Sequence, residues 1–323
     1  MRAVVIRQEG GPEVLQVENV PKPKAEPGKV LIRIKAFGLN RSEMFTRHGH
    51  SRKVVTFPRI LGIECVGVVE SCPSRKFQPG QQVAAIMGGL GRKFDGGYAE
   101  YTLVPEEIAI PFQSDLPWET LGAIPEMCQT ANGALEMGLE LKSGEVLLIR
   151  GGTSSVGMTA GQLANLKGCT VLSTTRNPNK VDALKANGAH EVFIDDGNIA
   201  AAVREKYPNG VDKVLELVGP TVLKDSLQCA RKLGIVCQVG YLGNQWYMDS
   251  FAPLGDIPSA VRLSAYAGET GDLPSSLLQE FIDNIASGAL KLNIDRIFSM
   301  DQIVEAHTHM ENNKAKGKLV VLP

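Results

Sequence analysis

The fold of this 323-residue chain is decided by the stretch Val146-Leu147-Leu148-Ile149-Arg150-Gly151-Gly152-Thr153-Ser154-Ser155-Val156-Gly157. It places an apolar run, a glycine-rich turn and the start of a helical pattern in direct succession, the order that a dinucleotide-binding unit requires. Gly152 permits the tight turn, and Gly157 lets the helix pack closely on the strand. Free N–H groups at the helix start attract a pyrophosphate. The sequence therefore predicts a nucleotide site here; no Lys-Ser/Thr pair follows the last glycine, which counts against a Walker loop.

The residues from the second glycine of this turn onward are predicted to contact the cofactor. They are Gly152, Thr153, Ser154, Ser155 and Val156. Ser154 stands where the G-x-G-x-x-G pattern has its middle glycine, and its side chain narrows the approach to the backbone. Its hydroxyl, with that of Ser155, could donate a hydrogen bond to a phosphate oxygen.

The second strand of the unit indicates which nucleotide binds. Residues 170–175 form a β-branched run that ends in Thr175, and Arg176 and Lys180 follow. In proteins that prefer NAD, this strand ends in Asp or Glu, whose carboxylate binds the ribose 2′-hydroxyl. The strand at 170–175 has no such carboxylate at its end. Arg176 and Lys180 could instead pair with a 2′-phosphate, so Thr175, Arg176 and Lys180 are predicted to bind NADP(H). The alternative is that both cations belong to an ordinary surface.

Strands and helices alternate through the middle of the chain. Helices are predicted at 158–167, 179–187, 199–207 and 223–233, and strands at 146–150, 170–175, 191–194, 211–218 and 235–239. This alternation is typical of an α/β protein with a doubly wound parallel sheet. Residues 263–267 are the candidate strand for the edge of that sheet.

The two ends of the chain have a different character. The first 120 residues or so contain short branched apolar runs, at 2–7 and 29–37 for example, bounded by Gly and Pro as strands are. Residues 118–137 are predicted to be helical with breaks, and a helix at 275–286 and a strand at 317–322 close the chain. Because one hydrophobic core rarely serves 323 residues, we expect two domains.

Composition excludes several classes of protein. The formal net charge of -1 gives the chain no excess of positive charge with which to bind nucleic acid or an anionic membrane. No apolar stretch approaches the roughly 20 residues needed to span a bilayer, and the N-terminus turns polar too soon for a signal peptide. The six cysteines are widely separated without C-x-x-C spacing, so reduced, buried thiols are expected. We therefore expect a soluble, cytoplasmic protein.

Several motifs, in this order, resemble the medium-chain dehydrogenase/reductase superfamily, and most closely its zinc-independent quinone oxidoreductase (zeta-crystallin-like) branch. They are Val30 to Arg33, Phe37-Gly38-Leu39-Asn40-Arg41-Ser42-Glu43, Phe57-Pro58-Arg59-Ile60-Leu61-Gly62-Ile63-Glu64, Pro79-Gly80-Gln81-Gln82-Val83, Gly96-Gly97-Tyr98-Ala99-Glu100-Tyr101 and Gly317-Lys318-Leu319-Val320. The resemblance implies a GroES-like β-barrel catalytic domain (1–121 and 269–323) and a Rossmann NADP(H)-binding domain (122–268). It also implies a cleft for nicotinamide and substrate, and a homodimer formed by paired Rossmann sheets.

The resemblance also implies roles for further residues. Those near the cofactor would be Gln129, Thr130, Val218, Gly240, Tyr241, Leu242 and Lys318. Asn40 would be a polar group near the nicotinamide and substrate, although it could equally cap a helix that begins at Ser42. Tyr241 and water are the alternatives for the proton donor.

No metal is predicted. Zinc-dependent relatives have a Cys in the segment that here runs from Gly38 to Glu43, which contains none, and a His where this chain has Ile63. A branched alkyl side chain cannot bind zinc. Glu64 is therefore expected to form a structural ion pair, and His48 and His50 are expected to belong to a polar loop.

These features predict an NADPH-dependent, zinc-free reductase of quinones or α,β-unsaturated carbonyls, acting by hydride transfer from nicotinamide. A conjugated carbonyl accepts hydride at its electron-poor β-carbon, and the enolate oxygen needs only hydrogen-bond donors. One alternative is an enoyl thioester reductase of the same superfamily, although residues 37–45 lack the tyrosine expected there. The other is a non-catalytic NADPH-binding protein with a sensor or structural role.

Overall fold

The computed structural model describes all residues, 1–323. Its strands are β1 (Arg2–Ile6), β2 (Gln16–Asn19), β3 (Lys29–Leu39), β4 (Arg59–Ile60), β5 (Glu64–Ser71), β6 (Gln82–Ile86), β7 (Tyr101–Pro105), β8 (Ala109–Pro111), β9 (Val146–Arg150), β10 (Thr170–Thr175), β11 (Glu191–Ile194), β12 (Val211–Glu216), β13 (Ala230–Gln238), β14 (Arg262–Ala265), β15 (Ile294–Ser299) and β16 (Lys318–Leu322). Its α-helices are α1 (Arg41–Arg47), α2 (Trp118–Leu121), α3 (Pro125–Gly133), α4 (Ser155–Leu166), α5 (Val181–Ala186), α6 (Ala200–Lys206), α7 (Leu223–Cys229), α8 (Pro253–Asp256), α9 (Ser275–Ala286) and α10 (Ile303–Glu311). A π-helical turn follows α3 at Ala134–Gly138, and short 3-10 turns lie at Pro12–Val14, Glu106–Ile108, Pro178–Lys180 and Met300–Gln302.

The chain divides into two compact units. Unit 1 comprises Met1–Gln129 and Gly268–Pro323, and unit 2 comprises Thr130–Ala267. The first segment of unit 1 ends at Gln129, eight residues after the predicted end at residue 121. Unit 2 ends at Ala267, one residue before the predicted end at residue 268. The first shift has a physical reason: the backbone N–H of Glu126, in the first turn of α3, donates to the Glu64 carboxylate at 2.8 Å, which ties that turn to unit 1.

Unit 2 is built on one six-stranded sheet of order β11-β10-β9-β12-β13-β14, in which every pairing is parallel. Side chains of the central strand β9 alternate between two buried clusters. Leu147 and Ile149 pack with Ala160 of α4, whereas Leu148 packs with Val203 of α6 on the other face. Both faces are thus covered by helices, which confirms the predicted doubly wound sheet.

The predicted helix at 223–233 is wrong in its second half. α7 ends at Cys229, and β13 begins at Ala230. The register of β13 on β12 jumps from Val211↔Ala230 to Lys213↔Ile235, so a bulge separates the two parts of the strand. Leu233 has a φ of 66°, and its N–H donates to Ala260 at 3.0 Å. A residue in the left-handed region does not continue an α-helix, and the strand pairing overrides the apolar spacing that suggested one.

Unit 1 is rich in strands and uses both ends of the chain. A seven-stranded sheet runs β15-β16-β3-β5-β6-β8, with β7 also paired to β3, and a three-stranded sheet runs β2-β1-β4. The C-terminal strand β16 lies antiparallel to the end of β3, with Leu319 opposite Leu39 and Val320 opposite Gly38. This register brings Lys318 to the point where β3 ends and α1 begins.

The remaining sequence expectations concern membranes and thiols. None of the helices has both the length and the apolar character needed to cross a bilayer. All six cysteines are unpaired and buried, as expected from their spacing.

Candidate active site

The glycine-rich turn connects β9 to α4 in unit 2, and three of its positions require glycine. Gly151 has a φ of +88°, in the left-handed region. A Cβ on Gly152 would collide with the Ser173 hydroxyl of β10, and a Cβ on Gly157 would lie 2.8 Å from the Gly151 carbonyl oxygen. The glycines therefore allow the turn to lie tightly against the first two strands, as predicted.

Ser154 is the N-cap of α4, and its hydroxyl is used inside the turn. Its Oγ accepts a hydrogen bond from the Gly157 N–H at 3.1 Å and donates to the Gly151 carbonyl at 2.8 Å. A hydroxyl has a single proton, so the expectation that Ser154 donates to a phosphate is not met in this structure. The residue shapes the turn, while Ser155 and Val156 lie in the first turn of α4, where backbone N–H groups have no partner within the helix.

The end of β10 presents two cations. Thr175 is buried, and its hydroxyl accepts from the Asn177 N–H at 3.1 Å. Arg176 is exposed, Lys180 is half-buried at the end of the turn Pro178–Lys180, and neither forms an ion pair within the chain. No carboxylate follows the strand before Asp182. The arrangement leaves two positive charges free at the place where a dinucleotide ribose is bound.

Two further loops of unit 2 meet the glycine-rich turn at the carboxyl ends of the strands. After β12, the N–H groups of Val218 and Gly219 donate to the buried Glu216 carboxylate at 2.6 and 3.0 Å. After β13 come Gly240, Tyr241 and Leu242, and a Cβ on Gly151 would lie 3.0 Å from the Leu242 side chain. The Tyr241 ring stacks on Trp246 with centroids 4.2 Å apart. The structure thus brings together the turn, Val218 and residues 240–242, and their contact with the cofactor stays a prediction.

A buried polar network beneath the turn was missed by sequence reasoning. Arg150, the last residue of β9, is fully buried and binds Asp195 through two hydrogen bonds of 2.9 Å and Asp225 through one of 2.7 Å. Thr174 links this network to the turn, because its hydroxyl accepts from the Gly151 N–H at 3.0 Å and donates to Asp195 at 3.3 Å. Burial raises the pKa of the nearby Glu216 to about 7. The sequence feature that could have predicted this network is Arg150, which ends an otherwise apolar strand.

A second buried polar cluster lies in unit 1, around Lys318. Its ammonium donates to Asn40 Oδ1 at 2.6 Å, to Glu64 Oε1 at 2.7 Å and to Glu126 Oε2 at 3.4 Å. Lys318 is 2% exposed and Glu64 is fully buried, so the pair is screened from water. A Cβ on Gly38 would collide with both side chains, which explains the glycine at the end of β3. The predicted ion pair of Glu64 is confirmed, and its partner is Lys318.

Asn40 occupies the N-cap position of α1, which begins at Arg41, one residue earlier than expected. Its side-chain Nδ2 donates to Glu64 at 3.0 Å and to Glu43 at 3.3 Å, and its backbone N–H donates to Glu43 at 3.0 Å. The amide has two N–H donors, and both are directed at buried carboxylates. Asn40 therefore fixes the start of α1 within the cluster, and its donors are already used within the chain.

Glu43 is a further buried acid of this cluster. It is 1% exposed, and it also accepts a hydrogen bond from the Ile63 N–H at 3.0 Å. Burial raises the pKa of the Glu43 carboxyl to about 7, although the hydrogen bond from Ile63 opposes the shift. The cluster thus holds a carboxyl group that changes charge near neutral pH.

The residues around Glu64 do not fit a zinc ion. Ile63 offers no ligand, and the Lys318 ammonium lies at hydrogen-bond distance from the Glu64 carboxylate. No group of three or more His, Cys, Asp or Glu side chains could hold a metal ion. His48 pairs with Glu311 at 3.1 Å, and the His50 ring packs against Phe45.

Gln129 and Thr130 lie where the two units divide along the sequence. Gln129 is 1% exposed, and its Nε2 donates to the Glu269 carbonyl at 2.9 Å, while its Oε1 has no hydrogen-bond partner. Thr130, the first residue of unit 2, is also buried. The buried Oε1 of Gln129 can accept a hydrogen bond, and the chain itself supplies no donor for it.

Comparison with known proteins agrees with this architecture. Residues 26–114 match the alcohol dehydrogenase GroES-like domain, and residues 187–321 match the zinc-binding dehydrogenase family. Human quinone oxidoreductase is 30% identical over 342 residues, covering 100% of this chain and 98% of the human protein. A 2-haloacrylate reductase from Burkholderia is 26% identical over 336 residues, covering 99% of this chain and 98% of that protein. The solved quinone oxidoreductase of Coxiella burnetii, 27% identical, matches with a TM-score of 0.86 over 100% of this chain and 99% of that one.

The chain belongs to the medium-chain dehydrogenase/reductase superfamily and, within it, to the quinone oxidoreductase family. It is therefore an oxidoreductase with a GroES-like domain and a Rossmann-type parallel sheet.

Proposed function

We propose that the protein is an NADPH-dependent, metal-independent reductase of quinones or α,β-unsaturated carbonyls. The observation that carries this proposal is the pair of unpaired cations, Arg176 and Lys180, at the end of a β10 strand without a carboxylate. They complement the negative charge of a 2′-phosphate. Neither side chain can accept a hydrogen bond from a ribose 2′-hydroxyl, as the carboxylate of an NAD-binding protein does. The 30% identity to human quinone oxidoreductase supports the substrate class.

The residues of unit 2 would bind and orient the cofactor. The first N–H groups of α4 bind the pyrophosphate, and Arg176 binds the 2′-phosphate. Bound NADPH supplies a hydride to the electron-poor carbon of a quinone or conjugated carbonyl. Tyr241, stacked on Trp246, and water remain the two candidates for the proton donor.

Metal independence is supported by the chemistry of the Lys318 cluster. In zinc-dependent chemistry, a Lewis acid polarises the reacting oxygen. Here the Glu64 carboxylate pairs with an ammonium, and Ile63 precedes it. Reduction of a conjugated acceptor requires hydrogen-bond donors for the developing oxyanion, and no metal.

Two finer features belong to the same proposal. The outer edge of β14 has no partner strand within the chain, and pairing with a second copy would form a homodimer. Six unpaired, buried cysteines favour a reducing compartment such as the cytoplasm.

The test compares cofactor affinity and turnover. NADPH should bind more tightly than NADH, and Arg176→Ala should weaken NADPH binding by about tenfold or more with little effect on NADH, because the variant loses a charge-assisted contact. Lys185→Ala, which removes an exposed cation from α5, is the matched control and should leave both affinities unchanged. Purified protein should oxidise NADPH with 9,10-phenanthrenequinone or an alkenal. An unchanged NADPH preference in Arg176→Ala refutes the cofactor assignment, and binding of NADPH without turnover of any acceptor refutes the reductase.

A further inference from the structure

Glu216, the last residue of β12, holds the start of the loop that follows its own strand. Its Oε1 accepts hydrogen bonds from the Val218 N–H at 2.6 Å and from the Gly219 N–H at 3.0 Å. Its Oε2 accepts a hydrogen bond from the Ser226 hydroxyl of α7. The side chain is fully buried, and in each of these contacts the neighbour is the donor. This arrangement suits an ionised carboxylate, which can only accept hydrogen bonds.

The loop after β12 contacts the two other segments of unit 2 that are predicted to bind the cofactor. A Cβ on Gly151 of the glycine-rich turn would lie 3.1 Å from Leu217 Cβ and 3.5 Å from Val218 Cγ2. The Leu217 carbonyl accepts a hydrogen bond from the Leu242 N–H at 3.1 Å. The Val218 carbonyl accepts one from the Gly243 N–H at 2.8 Å. A displacement of this loop would therefore disturb its contacts with both segments at once.

The negative charge of Glu216 has no cation paired with it directly. The guanidinium of Arg150 on β9 binds Asp195 and Asp225. It is connected to Glu216 only through Ser226, whose hydroxyl accepts from Arg150 at 3.0 Å and donates to the carboxylate. Three carboxylates thus share one arginine. Burial raises the pKa of Glu216 to about 7, although the hydrogen bond from Ser226 opposes the shift.

Glu216 is the group of this network to which a change of charge near pH 7 is assigned. The neighbouring elements face it with the following side chains: Arg150 of β9, Gln238 of β13, and Asp225 and Cys229 of α7. An arginine keeps its charge in this range, and an amide has none. Burial raises the pKa of the Cys229 thiol to about 12, so the thiol stays neutral. Asp225 is held by the Arg150 guanidinium at 2.7 Å.

We propose that Glu216 is a positioning residue of the cofactor site, and that its ionised form holds the loop after β12 in the conformation that binds NADP(H). The carboxylate holds Val218 and Gly219 through charge-assisted hydrogen bonds, which are about twice as strong as neutral ones. In the protonated form these bonds weaken, and the Ser226 hydroxyl can no longer donate to an oxygen that bears the proton. The inference rests on the proposed cofactor site and adds a pH dependence that does not involve the acceptor.

The test measures the dissociation constant of NADPH by fluorescence titration between pH 6 and pH 8. If the ionised form binds about tenfold more tightly, the wild type should bind about fivefold more weakly at pH 6 than at pH 8, because titration near 7 is incomplete at both limits. Glu216→Gln keeps the shape of the side chain but cannot ionise, so it should bind about tenfold more weakly than the wild type at pH 8 and lose this pH dependence. The 2′-phosphate of NADPH titrates in the same range, but it contributes equally to both proteins and cancels in the comparison.

Two further variants separate positioning from a general loss of structure. Ser226→Ala removes a donor to the carboxylate and leaves the carboxyl group in place, so it should move the midpoint of the pH profile to higher pH. Glu205→Gln makes the same chemical change at an exposed position of α6 and should leave both the affinity and the profile unchanged.

The outcomes distinguish this inference from the function on which it rests. If Glu216→Gln binds NADPH as tightly as the wild type at pH 8, or binds more weakly with an unchanged pH profile, Glu216 is not the positioning residue and the cofactor site stands. If the wild type binds no NADPH at any pH, the proposed cofactor site itself fails. Calorimetry at pH 7 in two buffers of different ionisation enthalpy provides a second measurement. Because binding favours the ionised form, NADPH should release more protons from the wild type than from Glu216→Gln, and equal release contradicts the proposal.

Discussion

The Lys318 ammonium lies 2.7 Å from Glu64 Oε1, in a pair whose members are 2% and 0% exposed. Lys318 begins the last strand of the chain, and Glu64 begins β5, so the contact joins residues 254 positions apart. The same ammonium also binds Asn40, at the start of α1. The end of the chain thus supplies the cation that neutralises the carboxylate of this buried cluster.

Removing one partner of this pair should strongly destabilise the protein. Lys318→Met leaves the Glu64 carboxylate buried without a counter-charge, which costs about 3–5 kcal/mol. Urea denaturation should show this loss in the free energy of unfolding, whereas Lys314→Met, an exposed lysine in the same segment, should change it by less than about 0.5 kcal/mol. The double variant Lys318→Met/Glu64→Leu should recover part of the loss, because it removes both charges. Equal stability of Lys318→Met and the wild type would contradict the structural role of the pair.

The pKa of Glu43 predicts how stability depends on pH. Burial raises this pKa from 4.5 to about 7, so between these values the folded state retains a proton that the unfolded state has lost. Stability from this group is therefore fully present below pH 4.5 and is lost as pH rises through 7, by up to about 3 kcal/mol. Glu43→Gln has no such proton to lose. Unfolding measured from pH 4.5 to 8 should show that the stability of Glu43→Gln relative to the wild type increases with pH. A constant difference would show that the Glu43 pKa is not raised.

The sequence predicts the architecture well because its determinants are local. About thirty residues contain the features that predict it: the apolar run of β9, the glycines that follow it and the end of β10 without a carboxylate. Each of them can be recognised within one short segment. The helix predicted at 223–233 failed because strand pairing with β12 overrode an apolar spacing that suited either structure.

The buried side-chain networks are harder to predict for a different reason. Arg150 meets Asp195 and Asp225, and Lys318 meets Glu64, across distances in sequence that no local pattern encodes. The role of Asn40 shows the same limit. Its position near the cluster followed from the resemblance, but only the structure shows that both of its N–H groups are taken by Glu64 and Glu43.

The contact between Gly152 and Ser173 provides a test of how the turn binds its nucleotide. A Cβ on Gly152 would collide with the Ser173 hydroxyl, whereas its distance from Ser173 Cβ would be 3.2 Å. Gly152→Ala should therefore push the turn away from β10, cost about 1–3 kcal/mol of stability and weaken NADPH binding by about tenfold or more, measured by fluorescence titration. Ser173→Ala removes the colliding atom, so the double variant Gly152→Ala/Ser173→Ala should recover most of the affinity. Ser173→Ala alone is the control and should bind NADPH as the wild type does. If the double variant binds no better than Gly152→Ala, the glycine is required by the ligand's approach to the backbone rather than by packing against β10.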